Sequence, residues 1–238
     1  MKYPTDICLV GASGLVGHEL LLNLSQMSFV RRVKAVTRAP LKNLPPKTDN
    51  IILDFGKMDQ HFEALKASVF ICCLGSTIKK AGSKEAFYKV DHDYVMTFAR
   101  LAEKAQAQKL LIISAMGADA KSRFFYNRVK GEMERDLRSL QIPQIEIFRP
   151  SLILGERKEA RAGEALGQKL SPMMNALMIG SLKKYRAITA IDIAKAMSIA
   201  VFNFHPGHFI YESDEIQRIA DGSYHQHSST EPSKEPPR

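Results

Sequence analysis

The sequence predicts an α/β fold, a doubly wound parallel sheet with helices on both faces and a small C-terminal lobe. Two observations lead to this prediction. Short apolar segments alternate with longer amphipathic segments along most of the chain, and a glycine-rich turn joins the first segment of each kind. The length of 238 residues suits one large domain with a full hydrophobic core.

Each element follows from its own pattern of residues. Short apolar runs predict strands over 7–10, 33–37, 51–54, 68–74, 109–114, 145–148 and 208–211. Amphipathic segments predict helices over 15–29, 58–66, 84–106, 123–140, 162–174 and 191–202. Because strands alternate with helices, we expect parallel pairing through right-handed crossovers.

Composition excludes several classes of protein. Apolar residues make up 45% and charged residues 25% of the chain, which are ordinary globular values. No apolar run approaches the ~18 residues of a membrane span, and the run 7–10 is too short for a secretion signal, so we expect a cytoplasmic protein without integral membrane association. Three cysteines are too few for a disulfide framework and are expected to be buried thiols.

The net charge of +9 indicates an anionic partner. A phosphate-bearing cofactor or an acidic small-molecule substrate would satisfy it. Nucleic acid is not expected, because the chain has no recognition-helix motif and no basic patch with interleaved aromatic residues. No metal site is expected either, and the pair His225 and His227 is read as part of a solvated tail.

The glycine-rich turn follows the first predicted strand and opens the first predicted helix. In a Rossmann-type fold, glycines at this place let the chain turn tightly and let backbone amides approach a pyrophosphate. The helix N-terminus adds N–H donors and a positive potential. The predicted contacts with the dinucleotide are Gly11, Ser13, Gly14, Leu15, Val16 and Gly17.

The end of the second strand indicates which dinucleotide binds. An Asp or Glu there would bind the 2′-hydroxyl of NAD, whereas this chain reads Thr37-Arg38. A guanidinium suits the 2′-phosphate of NADP, so NADP(H) is expected in preference to NAD(H). The alternative for Arg38 is a solvated charge. Asp54, after the third strand, either accepts a hydrogen bond from the adenine amino group or forms a turn.

Tyr126 and Lys130 lie four residues apart on a predicted helix and therefore share one face. An ammonium group beside a phenol stabilises the phenolate, so such a tyrosine can exchange a proton with a carbonyl or alcohol. Ser114 ends the fifth strand, where ligands of open α/β sheets bind, and is expected to hydrogen-bond the reacting oxygen. The alternative is a solvated tyrosine beside a surface lysine.

Blocks in order over about 7–164 resemble one known family. They are the glycine turn 11–17, Cys72-Cys73-Leu74-Gly75-Ser76-Thr77, Val90-Asp91-His92-Asp93-Tyr94-Val95, Gly117-Ala118-Asp119, Tyr126-Asn127-Arg128-Val129-Lys130-Gly131-Glu132, Phe148-Arg149-Pro150 and Arg161-Ala162-Gly163-Glu164. The chain resembles the short-chain dehydrogenase/reductase superfamily, in its atypical or extended branch. More narrowly, it resembles the Tat-interacting-protein family of NADP(H)-binding, oxidoreductase-like proteins, which has bacterial members.

The resemblance implies roles for individual residues. It makes Ser114, Tyr126 and Lys130 the catalytic serine, tyrosine and lysine, with Lys130 also touching the nicotinamide ribose. It implies that the cofactor is further lined by Leu74 and Gly75 on the adenine-ribose side and by Arg149, Pro150 and Ser151 beside the nicotinamide.

The chain also departs from the family pattern at two places. Many short-chain dehydrogenases carry an Asn on the helix after the fourth strand, where this chain reads Val90-Asp91. Ala115 stands where relatives often have a second small polar residue.

We expect residues 1–220 to form one NAD(P)-binding Rossmann-type domain, with 150–220 as a small substrate-side lobe and 221–238 as a disordered tail. The basic segment 157–186 either attracts an acidic substrate or is a solvated face. Its Met-containing stripe over 170–178 either forms an adaptable lid or partner surface or packs in the core. The sequence leaves a monomer and a homo-oligomer both open.

The predicted function is NADP(H)-dependent hydride transfer to or from a small carbonyl or alcohol. One alternative is a catalytically weak sensor or interaction protein that uses the bound dinucleotide to control a partner surface. A second alternative is a nucleotide-sugar epimerase or dehydratase, although these enzymes normally have a larger C-terminal lobe than the residues after Pro150 provide.

Overall fold

The computed structural model describes residues 5–155 and 180–223. Over these residues, seven strands form one parallel sheet in the order β3-β2-β1-β4-β5-β6-β9. The strands are β1 (Thr5–Val10), β2 (Val30–Thr37), β3 (Thr48–Ile52), β4 (Val69–Cys72), β5 (Lys109–Ile113), β6 (Gln144–Arg149) and β9 (Gly207–Glu212). The predicted doubly wound sheet is therefore confirmed.

Two further strands lie outside the main sheet. The short strands β7 (Ile153–Leu154) and β8 (Ile188–Thr189) pair in parallel as a separate sheet in the described residues. Their pairing brings the chain on either side of the undescribed segment 156–179 together. The strand expected around 208–211 is β9, and it extends the main sheet beside β6.

Helices connect the strands across both faces of the sheet. They are α1 (Leu15–Gln26), α2 (Phe62–Leu65), α3 (Ile78–Ala81), α4 (Lys84–Tyr88), α5 (Tyr94–Lys104), α6 (Phe125–Leu137), α7 (Ala190–Phe202) and α8 (Ser213–Ala220). Turns of 3₁₀-helix cover Phe55–His61 and Gly180–Tyr185, and a π-helical turn, Lys89–Asp93, joins α4 to α5.

The core is divided by the sheet because neighbouring strand residues point to opposite faces. On β1, Ile7 and Leu9 pack in one cluster with α1, α7 and α8. Cys8 and Val10 face the other cluster, which includes residues of α5 and α6. Both faces of the central strands are buried, which explains why these strands read as continuous apolar runs.

The helix predicted over 84–106 is divided into α4, the π-helical turn and α5, and the elements predicted over 51–54 and 58–66 begin at other residues. The strand predicted over 51–54 lies at Thr48–Ile52, because this polar edge strand is held by pairing with β2 and by hydrogen bonds from Asn50 Nδ2 to the Ala35 carbonyl and the Thr37 hydroxyl. The helix predicted over 58–66 begins earlier, as 3₁₀-helix, because the Asp54 carboxylate accepts a hydrogen bond from Gly56 N.

Several predictions fall outside the described residues. They concern the helix over 162–174, the Met-containing stripe, most of the basic segment and the pair His225 and His227. The division of the chain into one domain, a lobe and a tail stays a prediction. Among the helices that are described, none has the length and apolar character needed to cross a bilayer.

Candidate active site

The glycine turn lies where β1 meets α1, and its glycines have different surroundings. Gly11 has a φ of +87°, and a Cβ there would lie 2.7 Å from the carbonyl carbon of Cys73. A Cβ on Gly17 would lie 2.2 Å from the carbonyl oxygen of Gly11. Gly14 and Ser13, by contrast, are exposed. Gly11 and Gly17 thus permit close backbone packing, while Gly14 keeps the outer surface of the turn open.

The first turn of α1 is suited to an anion. Gly14 is its N-cap, no side chain caps the helix, and the first turn contains no acidic residue. Amides at a helix N-terminus and the helix dipole both favour negative charge. These residues therefore fit the pyrophosphate of a dinucleotide.

Thr37 is the last residue of β2, Arg38 follows it, and Asp54 lies two residues after β3. The Thr37 hydroxyl donates to the Ala39 carbonyl, and Arg38 is exposed with its guanidinium carbon 5.7 Å from the Phe55 ring centroid. The Asp54 carboxylate accepts from Gly56 N at 2.9 Å, which is the turn-forming arrangement. Arg38 is thus exposed directly after β2, and its contact with a phosphate stays a prediction.

Tyr126 and Lys130 lie on α6 as predicted from their spacing. The Tyr126 ring is partly exposed and packs against Phe87, with 5.5 Å between ring centroids. Lys130 is buried, and its Nζ lies 2.8 Å from Asp91 Oδ1. Burial by itself lowers the pKa of Lys130, but Asp91 and then Tyr126 more than offset this, so the pKa is raised above the ordinary lysine value.

Asp91 has no role assigned from the sequence, although it lies at this site. It is fully buried in the π-helical turn Lys89–Asp93, and its Oδ2 accepts a hydrogen bond from Ser76 N at 2.9 Å. π-Helical turns within helices are frequent at functional sites. The departure from Asn at Val90-Asp91 was the available signal, but the sequence did not indicate which residue the carboxylate would meet.

Ser114 lies directly after β5 and is buried against α6. Its hydroxyl donates to Glu134 Oε1 at 2.5 Å, and Glu134 is two helical turns after Tyr126. Glu134 also accepts hydrogen bonds from Arg149, including one from Nε at 3.0 Å. Ser114 and Arg149 thus both bond Glu134, which lies on the helix that carries Tyr126.

Arg149 has protein partners on several sides. Besides Glu134, its guanidinium bonds Glu212 at 3.1 Å and the Ala118 carbonyl at 3.3 Å. Burial by itself lowers the pKa of Arg149, but the two carboxylates raise it, so the residue remains a cation. Its charge therefore joins β6, α6 and the end of β9, and its place beside a nicotinamide stays a prediction.

The other predicted cofactor residues differ in their exposure. Gly75 is exposed, and a Cβ there would make ordinary contacts with Asp91 and Lys130. The Leu74 side chain packs in the core, so only the backbone of Leu74 could contact a cofactor. The Pro150 carbonyl accepts from Met116 N, and the Ser151 hydroxyl donates to the Arg186 carbonyl.

The described residues also include free cysteines. Cys8 and Cys72 are buried, and burial raises the pKa of Cys72 to about 12. In residues 5–155 and 180–223, no group of three or more His, Cys, Asp or Glu side chains could hold a metal ion. The described part of the predicted basic segment includes Lys183 and Lys184, both of which are exposed.

Comparison with known proteins identifies similar sequences. The family model described as HIM1 matches residues 51–184. Protein HTATIP2 of Rattus norvegicus is 35% identical over 168 residues, which cover 69% of each chain. Protein fmp52, mitochondrial, of Emericella nidulans is 35% identical over 173 residues, covering 68% of this chain and 73% of that relative.

Solved structures share the fold at low sequence identity. MoeE5 in complex with UDP-glucose and NAD has a TM-score of 0.65 and 13% identity, and the match covers 92% of this chain and 82% of MoeE5. UDP-glucuronic acid 4-epimerase from Bacillus cereus in complex with NAD has a TM-score of 0.64 and 14% identity, covering 88% and 78%. At these identities the likeness concerns the fold alone.

Proposed function

Because this chain belongs to the HIM1 family, with HTATIP2 and FMP52 proteins among its relatives, we propose that it is an NADP(H)-dependent oxidoreductase. The substrate would be a small carbonyl compound or alcohol. The observation that carries the proposal is the buried, positively charged Lys130 one helical turn from Tyr126, at the edge of the sheet where the glycine turn also lies.

Different residues would bind the cofactor and transfer the proton. The amides at the start of α1 would bind the pyrophosphate, and Arg38 would bind a 2′-phosphate. A bound nicotinamide supplies or accepts the hydride. Tyr126 would give a proton to the carbonyl oxygen during reduction and take it back during oxidation, while the ammonium of Lys130 stabilises the phenolate.

Replacing Tyr126 by phenylalanine tests the mechanism. Tyr126→Phe removes the proton donor and leaves the glycine turn intact, so we expect turnover to fall by about 10²-fold or more with little change in NADPH affinity. Turnover is measured in a carbonyl-reductase screen with NADPH, and affinity by NADPH fluorescence. Tyr88→Phe is the matched control, since Tyr88 lies on α4 and stacks on His92.

The outcomes of that experiment separate the alternatives. Full activity of Tyr126→Phe contradicts the proposed mechanism. Persistent inactivity of the wild-type protein, together with tight NADPH binding and cofactor-dependent capture of a partner, would support the sensor. Failure to bind either dinucleotide would contradict the proposal as a whole.

Cofactor preference has its own test. Arg38→Ala removes a cation that would meet the 2′-phosphate, so we expect NADPH affinity to fall about 10- to 100-fold and NADH affinity to change little. Arg32→Ala is the control, because Arg32 is an exposed β2 residue that pairs with Asp49. Equal losses for the two cofactors would rule out Arg38 as the phosphate ligand.

Two finer predictions accompany the proposal. We expect an acidic substrate, because the positive charges of the exposed Lys183 and Lys184 would attract an anion. A cytoplasmic location remains our expectation, while the names of the fungal FMP52 relatives include the word mitochondrial.

A further inference from the structure

A buried ion pair lies beneath the loop that follows β4. Asp91 is fully buried and Lys130 is almost so, and their charged atoms are 2.8 Å apart. An isolated charge in such a place is unfavourable, so a buried cation needs an anion beside it. The pair comes from two different elements, the π-helical turn and α6.

Asp91 connects two regions that would contact the cofactor. One carboxylate oxygen holds Lys130, and the other accepts from Ser76 N at 2.9 Å. A Cβ on Gly75 would lie 3.6 Å from Asp91 Oδ1 and 4.0 Å from Lys130 Nζ. Gly75, which is exposed and has no side chain, is therefore the residue of this loop that separates the buried ion pair from the surface.

We propose that Asp91 is a positioning residue that keeps the Lys130 ammonium in place and positively charged beneath the ribose of the bound dinucleotide. This inference rests on the proposed function, because it deepens the role of Lys130 in the same site. It also assigns a role to the π-helical turn, because Asp91 lies in that turn and is buried there.

The groups that face Lys130 explain why Asp91 decides its charge. Burial favours the neutral amine, and Asp91 is the leading influence in the opposite direction, followed by Tyr126 on the same helix. Cys72, from β4, remains a neutral thiol at ordinary pH because burial raises its pKa to about 12. Without Asp91, Lys130 would therefore lose its proton at a lower pH than in the wild-type protein.

The test compares Asp91→Asn with Asp93→Asn across pH. Asp93 lies two residues further on, is exposed and pairs with His92. For Asp91→Asn, we expect NADPH affinity to be at least about tenfold below wild type at alkaline pH and to recover as the pH falls. The alkaline limb of the activity profile should move to lower pH in the same variant. Asp93→Asn should follow the wild-type profile at every pH.

A merely structural role for Asp91 predicts a different result. A loss of affinity and activity by the same factor at every pH, without movement of the alkaline limb, would overturn the proposal. The titration of the Lys130 ammonium can also be measured directly, by ¹³C NMR of the lysine Cε atoms in the wild-type protein. The Lys130 signal is identified by its absence from the spectrum of Lys130→Arg. The Lys130 ammonium should keep its proton to a higher pH than exposed lysines, and an earlier titration would also overturn the proposal.

These measurements separate this proposal from the proposed function. If wild-type protein binds NADPH but turns over no substrate, the oxidoreductase assignment fails, while the affinity profile and NMR titration still judge Asp91. If Asp91→Asn does not fold, the wild-type NMR titration decides alone, because it requires no variant of Asp91.

Discussion

Glu134 shows how one side chain can determine what a neighbouring group offers to a ligand. The Ser114 hydroxyl has a single hydrogen, which it donates to Glu134. In this arrangement the serine oxygen can accept a hydrogen bond but has no hydrogen left to polarise a substrate carbonyl. Ser114 as observed therefore suits an alcohol as its hydrogen-bond donor, and the predicted contact with a carbonyl requires its hydroxyl to rotate.

Glu134→Gln should destabilise the protein by about 3 kcal/mol, because Arg149 would lose its main charged partner in a largely buried place. Urea unfolding measures the change. Glu132→Gln on the same helix is the control and should cost less than about 1 kcal/mol, since Glu132 meets the half-buried Arg128 at 4.0 Å and the Tyr88 side chain near the surface. Equal unfolding midpoints for the two variants would contradict a stabilising role for Glu134.

Helix α6 carries Tyr126 and Lys130, and its position depends on direct backbone contact with the preceding loop. Asp119 N donates to the Asn127 carbonyl at 3.0 Å. A Cβ on Gly131 would lie 2.1 Å from Ala120 N and from the Asp119 carbonyl carbon. Glycine at position 131 is what lets the loop lie against the helix, so it indirectly places Tyr126.

Gly131→Ala should therefore cost about 3 kcal/mol or more and reduce activity, because the added methyl overlaps backbone atoms that cannot move cheaply. Thermal unfolding and the reductase assay measure the two effects. Gly56→Ala is the control, since its Cβ would meet Asp54 Oδ1 at 3.5 Å and the Tyr94 hydroxyl at 3.7 Å, which are ordinary contacts. Wild-type behaviour of Gly131→Ala would show that the loop can shift freely.

At the scale of the whole molecule, the order in which the chain adds strands to the sheet reverses between β1 and β4. The chain builds outward from β1 to β3 on one side and from β4 to β9 on the other. Loops on either side of such a switch point leave a crevice at the carboxyl ends of the strands. The glycine turn after β1 lies on one side of this crevice. The loop after β4, which covers Asp91 and Lys130, lies on the other side.

Binding across this crevice should stabilise the folded protein. NADPH at about 100 times its dissociation constant should add about 2.7 kcal/mol to the free energy of unfolding. At the same concentration NADH should add less, because it lacks the phosphate expected at Arg38. The urea midpoint with each cofactor measures this, and Arg38→Ala should remove the difference. Identical midpoints with and without NADPH would exclude binding to the native state.

Local patterns predicted much of the fold. The runs that became β1, β4 and β5 are buried on both faces, so their apolar character was continuous and easy to detect. The edge strand β3 was misplaced because its residues are largely polar and are held by pairing with β2. The short pair β7 and β8 was missed because each strand has only two residues.

The sequence by itself determined the alternation of strands and helices, the glycine turn and the shared face of Tyr126 and Lys130, because these depend on residues close together in the chain. Only the tertiary structure decided that Asp91 meets Lys130 and that Glu134 meets both Ser114 and Arg149. Those contacts join elements that are far apart in sequence, and the sheet order and the π-helical turn determine which carboxylate reaches which partner.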